Sequence, residues 1–455
     1  MQNNQYNQSP NKIENMRLWF GRLGFFFYII ILGIIIYFDD IQLTAHTSEE
    51  VATIYNIRIL GIKIIDGLSI FLIFLMLVYL FLLNKFAVTS FHRYMGTIFL
   101  IYCYAGLIGF IYFFFYDYDL NIWVQDFQHT IYMVGFFLIT FYFLDSKKRW
   151  KIFVLAFIIF LAAKNLLIFY NTLTGVGKSF TTWAFRASEN SEFTYFPMMF
   201  FPLIIYFLKN KNITLKIISV FIILIYLFNS LVGIYRTVWV MLILGILFLL
   251  TQLDKSARKK LIILGLSSLL IVLFVINLFF PKFIELVWNY KFTSIFEWSV
   301  YGDRSNATRI LEVINVTNYV FSNFSFLQGM GLGAWWDDSA RRLLPDLGSG
   351  FTYKTKFHTT HMWYLTQFLK LGIVAMFFYW RAIYKMFKNV AIFLKTMSWD
   401  RWEKSMLLGL NIGLLCAFIS SADFVRLFLI IGINFGIISS FIHHDSQTNN
   451  LSESY

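Results

Sequence analysis

Charged residues are scarce in this sequence. Only 14% of its 455 residues are charged, whereas 58% are hydrophobic and the mean hydropathy is +0.65. Soluble proteins contain roughly a quarter charged residues. Apolar runs of about 17 to 25 residues, the length that crosses a bilayer as a helix, recur along the chain. These values exclude a soluble domain of comparable size and predict one integral membrane domain over residues 1–455, with an all-α, polytopic fold.

Cysteine and histidine are also rare, with 2 and 7 residues respectively. Cys103 and Cys416 both lie inside apolar runs, which is typical of small core residues. This placement excludes a disulfide framework and a cysteine-based metal site. Internal repeats are lacking as well, so the sequence does not support the paired-repeat architecture of many secondary transporters.

Basic residues outnumber acidic ones, giving a net charge of +13, but they cluster in short loops. Roughly 22 Lys and Arg lie in the N-terminal tail and in alternate loops, whereas about four (Arg58, Lys63, Lys178 and Arg186) lie in the remaining short loops. The positive-inside rule explains this asymmetry, which argues against a nucleic-acid partner. It predicts a multi-pass protein with both termini in the cytoplasm.

Hydropathy predicts about twelve transmembrane helices. The predicted spans are 23–38, 64–83, 94–116, 129–144, 151–170, 194–208, 217–233, 235–252, 261–280, 361–380, 405–421 and 424–442.

One large extracytoplasmic loop, residues 281–360, separates the ninth and tenth of these spans. A long loop of this kind is usually functional or disordered, and its four tryptophans argue against disorder. Within the loop, ATRILEVINVTNYVF predicts a short amphipathic helix that Arg309 opens, with Ile310, Val313, Ile314 and Tyr319 near helical spacing on its apolar face. A glycine-rich run follows, with glycines at 329, 331 and 333.

Several arginines fall on the predicted outer side, where the positive-inside rule does not place them. Arg236 begins a helix there, and Arg304 and Arg309 lie in the long loop. Arginine binds phosphate through two parallel hydrogen bonds, so Arg236 and Arg309 together are candidates to hold one pyrophosphate. Arg304 has Asp303 beside it as an alternative partner. Arg341 is a further candidate, although it is equally compatible with a solvated loop.

Two histidines, His358 and His361, precede the apolar segment MWYLTQFLKLG. We expect His361 in the first turn of that helix, with Thr360 as its N-cap. The positive end of a helix disfavours imidazolium, so His361 is a candidate general base in its neutral form. His358 lies three residues earlier and would share a face with His361 only if the helix began sooner, so we assign it a substrate-binding role instead. A zinc site would need a third ligand at a suitable spacing, so no metal is predicted.

The order of these motifs resembles the superfamily of bacterial O-antigen polymerases (Wzy), O-antigen ligases and related oligosaccharyltransferases. GIYRTVW carries Arg236, and TRILEVINVTNYVFSNFSFLQGMGLG carries Arg309 about twenty residues before the glycine-rich run. HMWYLTQFLKLG then supplies His361, Leu365 and Gly372. The family usually has His-Asn-x-x-Leu and a glycine at the same distance, so Met362 is a departure from it, as is Val313 where tryptophan is typical. Arg304 competes with Arg309 for the match.

The resemblance implies a fold like that of the C-type membrane glycosyltransferases and a reaction at the outer face of the bacterial cytoplasmic (inner) membrane. The donor would be a glycan on undecaprenyl pyrophosphate and the acceptor a second glycan, with membrane lipids and a chain-length regulator as further partners. In this scheme Arg236 and Arg309 hold the pyrophosphate, and His361 lies at the reaction centre. Arg186, within WAFRASENSEFTYFP, would have a binding role. The reaction needs no cofactor.

A repeat-unit polymerase is the favoured interpretation, with an O-antigen ligase or a protein O-oligosaccharyltransferase as the nearest alternative. A metal-dependent glycosyltransferase would use the acidic residues of the first outer loop, namely Asp39, Asp40, Glu49 and Glu50. A flippase for lipid-linked oligosaccharides would use charges within the spans. Its candidates are Lys164, Arg236, Lys370 and Arg426.

Overall fold

In the residues that it describes, the computed structural model is all-α apart from one small hairpin. It describes residues 12–37, 58–59, 62–83, 88–174, 200–232, 236–282, 285, 304–338, 340, 356–358, 360, 362–397, 402–420 and 425–452. Within these residues there are thirteen helices and two paired two-residue strands, β1 (Arg58–Ile59) and β2 (Ile62–Lys63). The helices are α1 (Lys12–Tyr37), α2 (Ile64–Leu83), α3 (Ser90–Phe113), α4 (Leu120–Phe143), α5 (Lys147–Thr174), α6 (Phe200–Lys209), α7 (Ile213–Val232), α8 (Arg236–Gln252), α9 (Lys255–Phe279), α10 (Arg304–Ser322), α11 (Trp363–Thr396), α12 (Trp402–Ser420) and α13 (Val425–Ser452).

Each of the twelve predicted spans overlaps one of these helices. Among the described residues, five segments are long and apolar enough to cross a membrane, judged by length and composition. They are Glu14–Ile34, Ser90–Phe113, Lys148–Tyr170, Ile213–Val232 and Lys255–Phe279. Large apolar side chains on these helices face outward: Phe274 is 70% exposed and Leu270 is 68% exposed. Such surfaces suit contact with lipid and are unusual in water. The total of twelve spans stays a prediction.

Among the described helices, α13 and α4 share the most extensive contact. Gly432 and Gly436 on α13 form a Gly-x-x-x-Gly pair, and small residues at this spacing let two helix backbones approach closely. A Cβ added to Gly432 would lie 2.2 Å from the carbonyl oxygen of Met133 on α4. At Gly436 it would lie 2.7 Å from the Cβ of Thr140. The two glycines therefore fix how closely α13 can pack.

Helix ends that the predicted topology assigns to one side of the membrane do meet in the structure. At the predicted cytoplasmic end, hydrogen bonds join residues near the start of α3 and the end of α4 to residues late in α11 and α13. These bonds are Thr89 Oγ1 to Ser439 Oγ (3.0 Å), Ser440 Oγ to Leu144 O (2.8 Å) and Asn389 Nδ2 to Ser90 Oγ (3.0 Å). At the opposite end, the end of α3 and the starts of α4 and α11 converge on the glycine-rich run.

The amphipathic helix predicted in the long loop is present as α10, but its details differ from the expectation. Arg304 begins the helix, so Arg309 lies in its second turn instead of opening it. Val313, expected on the apolar face, is 39% exposed, while Leu311, Val316 and Val320 are the fully buried apolar residues of that face. The apolar residues thus recur at helical spacing as predicted, but the buried face is rotated around the helix axis from the predicted one.

Candidate functional site

Helix α11 is broken near its start. Gly372 has φ 67° and ψ 175°, which is not helical, and it separates a short segment (363–371) from a long one (373–396). With 34 residues the whole element would be about 51 Å long, well beyond the roughly 30 Å of a bilayer's hydrocarbon core. Irregular backbone at membrane depth occurs where other protein segments satisfy its hydrogen bonds or where it lines a cavity.

The glycine-rich loop, residues 325–337, satisfies the backbone groups that this break exposes. A helix interruption leaves carbonyl oxygens without donors before it and N–H groups without acceptors after it. Four backbone hydrogen bonds fill these positions: Met330 N to Leu369 O (2.8 Å), Gly331 N to Lys370 O (3.0 Å), Ile373 N to Phe326 O (2.8 Å) and Val374 N to Leu327 O (3.3 Å). The break in α11 and the loop therefore form one backbone unit.

Glycines permit this contact because no side chain would fit. Gly329, Gly331 and Gly333 have φ of 77°, 80° and 81°, a left-handed conformation that L-residues with a Cβ adopt only with strain. A Cβ on Gly331 would lie 2.1 Å from the nitrogen of Gly109 in α3. On its other side the loop donates Leu332 N to the carbonyl of Ala105, also in α3, at 3.0 Å. The loop is thus held between α3 and α11.

A buried ion pair lies beside the loop. Lys370 Nζ is 2.8 Å from Asp126 Oδ1, and the two side chains are 5% and 11% exposed. The other carboxylate oxygen of Asp126 accepts the backbone N–H of Gly333 at 2.7 Å. Asp126 therefore joins α4, α11 and the loop, and its charge is compensated by both a cation and a hydrogen-bond donor.

The segment before α11 is attached to the same loop. Phe357 and Trp336 exchange two backbone hydrogen bonds of 2.8 Å, and their rings stack with centroids 4.7 Å apart. Lys356 forms an ion pair with Asp117, in the connection between α3 and α4, and its Nζ lies 4.7 Å from the centre of the Trp335 ring. This segment is consequently held in a defined position.

His358 follows directly, half-buried, with its Nδ1 3.2 Å from the carbonyl oxygen of Ala334. Burial lowers the pKa of His358 below its usual value, because the charged ring loses hydration. The bond to Ala334 acts in the opposite direction. Lys370 lowers this pKa further, while Asp126 and Asp119 raise it. The net direction favours a neutral imidazole near pH 7.

A cluster of buried aromatic and aliphatic side chains packs α10 against the glycine-rich loop and the start of α11. Val316 and Val320 pack in one buried group with Met330, Leu365 and Leu369, so α10, the loop and the start of α11 share a core. Tyr118 joins this core and donates its hydroxyl to the carbonyl of Met330 at 2.8 Å. Burial raises the pKa of Tyr118, which therefore stays a neutral donor at physiological pH.

The start of α11 corrects one expectation. The N-cap is Met362 and the helix begins at Trp363, so Thr360 is not the cap and the first turn starts two residues after His361. The Thr360 hydroxyl is engaged locally instead: it donates to the carbonyl of Met362 at 2.6 Å. The backbone N–H of Thr360 donates to the hydroxyl of Thr366 at 3.0 Å. Thr360 thus stabilises the segment just before the helix and does not cap the helix.

Of the predicted site residues, the structure places Arg309 and His358 in full. Arg309 is half-buried on α10, the helix that packs on the start of α11. The backbones of Arg236 and Arg304 begin α8 and α10, while their side chains lie outside the described part of the chain. The residues wholly outside it are His361, Arg186, Arg341, Asp39, Asp40, Glu49 and Glu50.

Asp126 was missed by the sequence analysis, and Lys370 was considered only as a transport residue. Asp126 precedes the span predicted at 129–144, whereas it lies inside α4. The available signal was Lys370 itself, because a lysine inside an apolar segment requires a buried partner. Nothing in the sequence indicated which carboxylate that partner was.

In the described ranges no three His, Cys, Asp or Glu side chains come together as metal ligands. That no metal is needed stays a prediction. No protein-family model, curated protein or solved structure matches the chain.

Proposed function

We propose that the protein polymerises oligosaccharide repeat units carried on undecaprenyl pyrophosphate, for O-antigen, capsule or exopolysaccharide synthesis. The reaction is a metal-independent glycosyl transfer at the outer face of the bacterial cytoplasmic membrane. In this proposal twelve helices cross the membrane, both termini are cytoplasmic, and residues 281–360 form the extracytoplasmic loop. Donor and acceptor are both lipid-linked glycans.

One observation carries the proposal: motifs that are far apart in the sequence lie in a single packed unit. The Arg309 helix, the glycine-rich loop and the start of α11, to which Leu365 and Gly372 belong, share a buried core and reciprocal backbone hydrogen bonds. These segments carry two of the three motifs on which the resemblance to polymerases and ligases rests; the third is GIYRTVW, with Arg236. A set of motifs with a common function is expected to be assembled in this way, whereas a chance match is not.

The chemistry assigns different tasks to the arginines and to a histidine. Arg236 and Arg309, with Arg304 as the alternative, bind the pyrophosphate and stabilise the negative charge that develops as it leaves. Undecaprenyl pyrophosphate is a good leaving group, so a strong acid is not required. The acceptor hydroxyl is a poor nucleophile, and a positioned base accelerates its attack by about a hundred- to ten-thousand-fold. The resemblance assigns that base to His361.

The decisive test uses purified protein, its native undecaprenyl-pyrophosphate-linked repeat unit as sole substrate, and a chelator. A product ladder on a gel is the expected result. If no ladder forms but the glycan is transferred to a lipid A–core or protein acceptor, the protein is a ligase or a protein O-oligosaccharyltransferase. If neither product forms and vesicles containing the protein instead move the lipid-linked glycan across the bilayer, it is a flippase and glycosyl transfer is rejected.

A further inference from the structure

Two histidines precede α11, and the structure gives one of them the geometry of a base. We propose that Nε2 of His358, and not the ring of His361, accepts the proton of the acceptor hydroxyl. This inference rests on the proposed glycosyl transfer and specifies which residue performs its proton-transfer step.

The hydrogen bond of His358 fixes where its proton lies. A backbone carbonyl oxygen can only accept a hydrogen bond, so the 3.2 Å contact with Ala334 O requires Nδ1 to carry the hydrogen. In a neutral imidazole the other nitrogen then has a free lone pair. Nε2 of His358 is therefore the proton-accepting atom, and its opposite nitrogen is oriented by the protein, as in other sites where a second group aligns a catalytic histidine.

The anchor of His358 is itself rigid. Ala334 follows Gly333, whose N–H is bound by Asp126, and two residues later Trp336 is paired with Phe357. Ala334 thus lies between two attachment points of the loop, and the residue just before His358 belongs to the second of them. The loop is in turn bonded to the break in α11. A base must be held within hydrogen-bond reach of its proton, and this arrangement limits the movement of the ring.

The charges that face His358 come from three positions. Lys370 on α11 disfavours the protonated ring, while Asp126 on α4 and Asp119 at the start of α4 favour it. Lys370 and Asp126 are paired with each other, so their effects on the ring oppose one another. Burial is the largest influence and leaves the pKa of His358 below its usual value. The ring is consequently neutral, and able to accept a proton, at and above neutral pH.

The proton-transfer step balances without a further reactant. The acceptor hydroxyl oxygen forms a bond to the anomeric carbon of the donor sugar while its proton moves to Nε2 of His358. The bond between that carbon and the phosphate oxygen breaks, and its electron pair leaves with undecaprenyl pyrophosphate. The resulting imidazolium then releases its proton to water.

A pair of substitutions separates a base from a mere anchor. Asparagine places its amide nitrogen where Nδ1 lies, so His358→Asn keeps the bond to Ala334 but has no atom at the Nε2 position. Glutamine places an amide nitrogen near Nε2, so His358→Gln loses the anchor and provides no base. If His358 is the base, kcat falls by about a hundred- to ten-thousand-fold in both variants. If it is only an anchor, His358→Asn keeps activity within a few-fold of the wild type and the inference is overturned.

The pH profile gives a second readout that a structural role would not change. In the wild type kcat/KM should decline as the pH falls through the pKa of His358, which burial lowers below the usual histidine value. His361→Gln should keep this acid limb, and the residual activity of His358→Asn should lack it. Should only one His358 variant fold, as judged by its melting temperature, an acid limb that persists in that variant contradicts the inference.

The outcomes also separate this inference from the proposed function. A wild-type ladder together with an active His358→Asn variant rejects His358 as base and leaves glycosyl transfer intact. Absence of any glycan transfer by the wild type, with its native substrate confirmed, rejects both.

Discussion

Gly329 and Gly372 are in contact through their backbones, although 43 positions apart in the chain. A Cβ on Gly372 would lie 2.3 Å from the nitrogen of Gly329, and one on Gly329 would lie 2.4 Å from the carbonyl oxygen of Lys370. Both residues also have positive φ. The break in α11 and the glycine-rich loop can therefore form together only if both positions lack a side chain.

Replacing Gly372 with alanine should prevent this contact. The new methyl group would overlap backbone atoms that cannot move without breaking the four hydrogen bonds, and a positive φ adds strain for alanine. We expect a clear fall in the melting temperature of the detergent-solubilised protein.

Gly96→Ala and Gly265→Ala are matched controls, because a Cβ at either position meets no atom within 4 Å. Both lie inside helices, where alanine is favoured over glycine by about 0.5–1 kcal/mol, so they should be neutral or stabilising. A Gly372→Ala protein as stable as these controls would contradict the contact.

The helices could be predicted from the sequence because hydropathy is a local property. Every predicted span overlaps a described helix, and α10 was predicted from residues within its own turns. The break at Gly372 was not predicted, since the apolar run continues through it without a proline or a cluster of polar residues. It exists because a distant loop supplies hydrogen bonds, and such a partner leaves no trace in the local pattern.

The candidate site was predicted only in part for the same reason. Arg309 and the glycine-rich run were identified because an arginine on the outer side and closely spaced glycines can be recognised from the sequence alone. His358 was judged a bystander from its spacing on a helix that in fact begins at Trp363. Its orientation depends on Ala334, 24 residues away, and the charges beside it come from a contact between residues 244 apart. Spacing rules apply within one element and cannot describe these contacts.

The buried pair of Asp126 and Lys370 should show strong coupling in a double-mutant cycle. Asp126→Leu or Lys370→Met alone leaves an uncompensated buried charge, which typically costs about 3–5 kcal/mol of stability. The double variant removes both charges and should recover a large part of that loss, as replacing buried ion pairs with apolar residues often does. Unfolding by denaturant, or melting in detergent, measures the stability of the wild type, of each single variant and of the double variant. Additive losses would mean that the two side chains do not depend on each other.

The orientation of the bundle can be tested with single cysteines in a variant that lacks Cys103 and Cys416. The cysteine of Phe324→Cys, at a position where the native side chain is 84% exposed beside the glycine-rich loop, should react with a membrane-impermeant maleimide added to intact cells. The cysteine of Lys148→Cys, at an exposed position at the start of α5, should react only after the membrane is opened. The basic loops require this result if both termini are cytoplasmic. The reverse pattern would invert the topology and place the candidate site in the cytoplasm.

Arg309 provides the most direct test of pyrophosphate binding. Arg309 is half-buried on α10, the helix that shares a core with the start of α11. A hydrogen bond to a charged group contributes about 1.5–3 kcal/mol, so Arg309→Ala should lower kcat/KM by about ten- to a hundred-fold. Arg309→Lys keeps the charge but loses the bidentate hydrogen-bonding geometry, and it should recover only part of the lost activity.

Arg381→Ala is the matched control, because Arg381 is exposed at the predicted cytoplasmic end of α11, and this variant should behave as the wild type. Free pyrophosphate should inhibit the wild type more strongly than Arg309→Ala. Equal inhibition of the two would show that Arg309 does not contact the pyrophosphate, and Arg304 would become the residue to test.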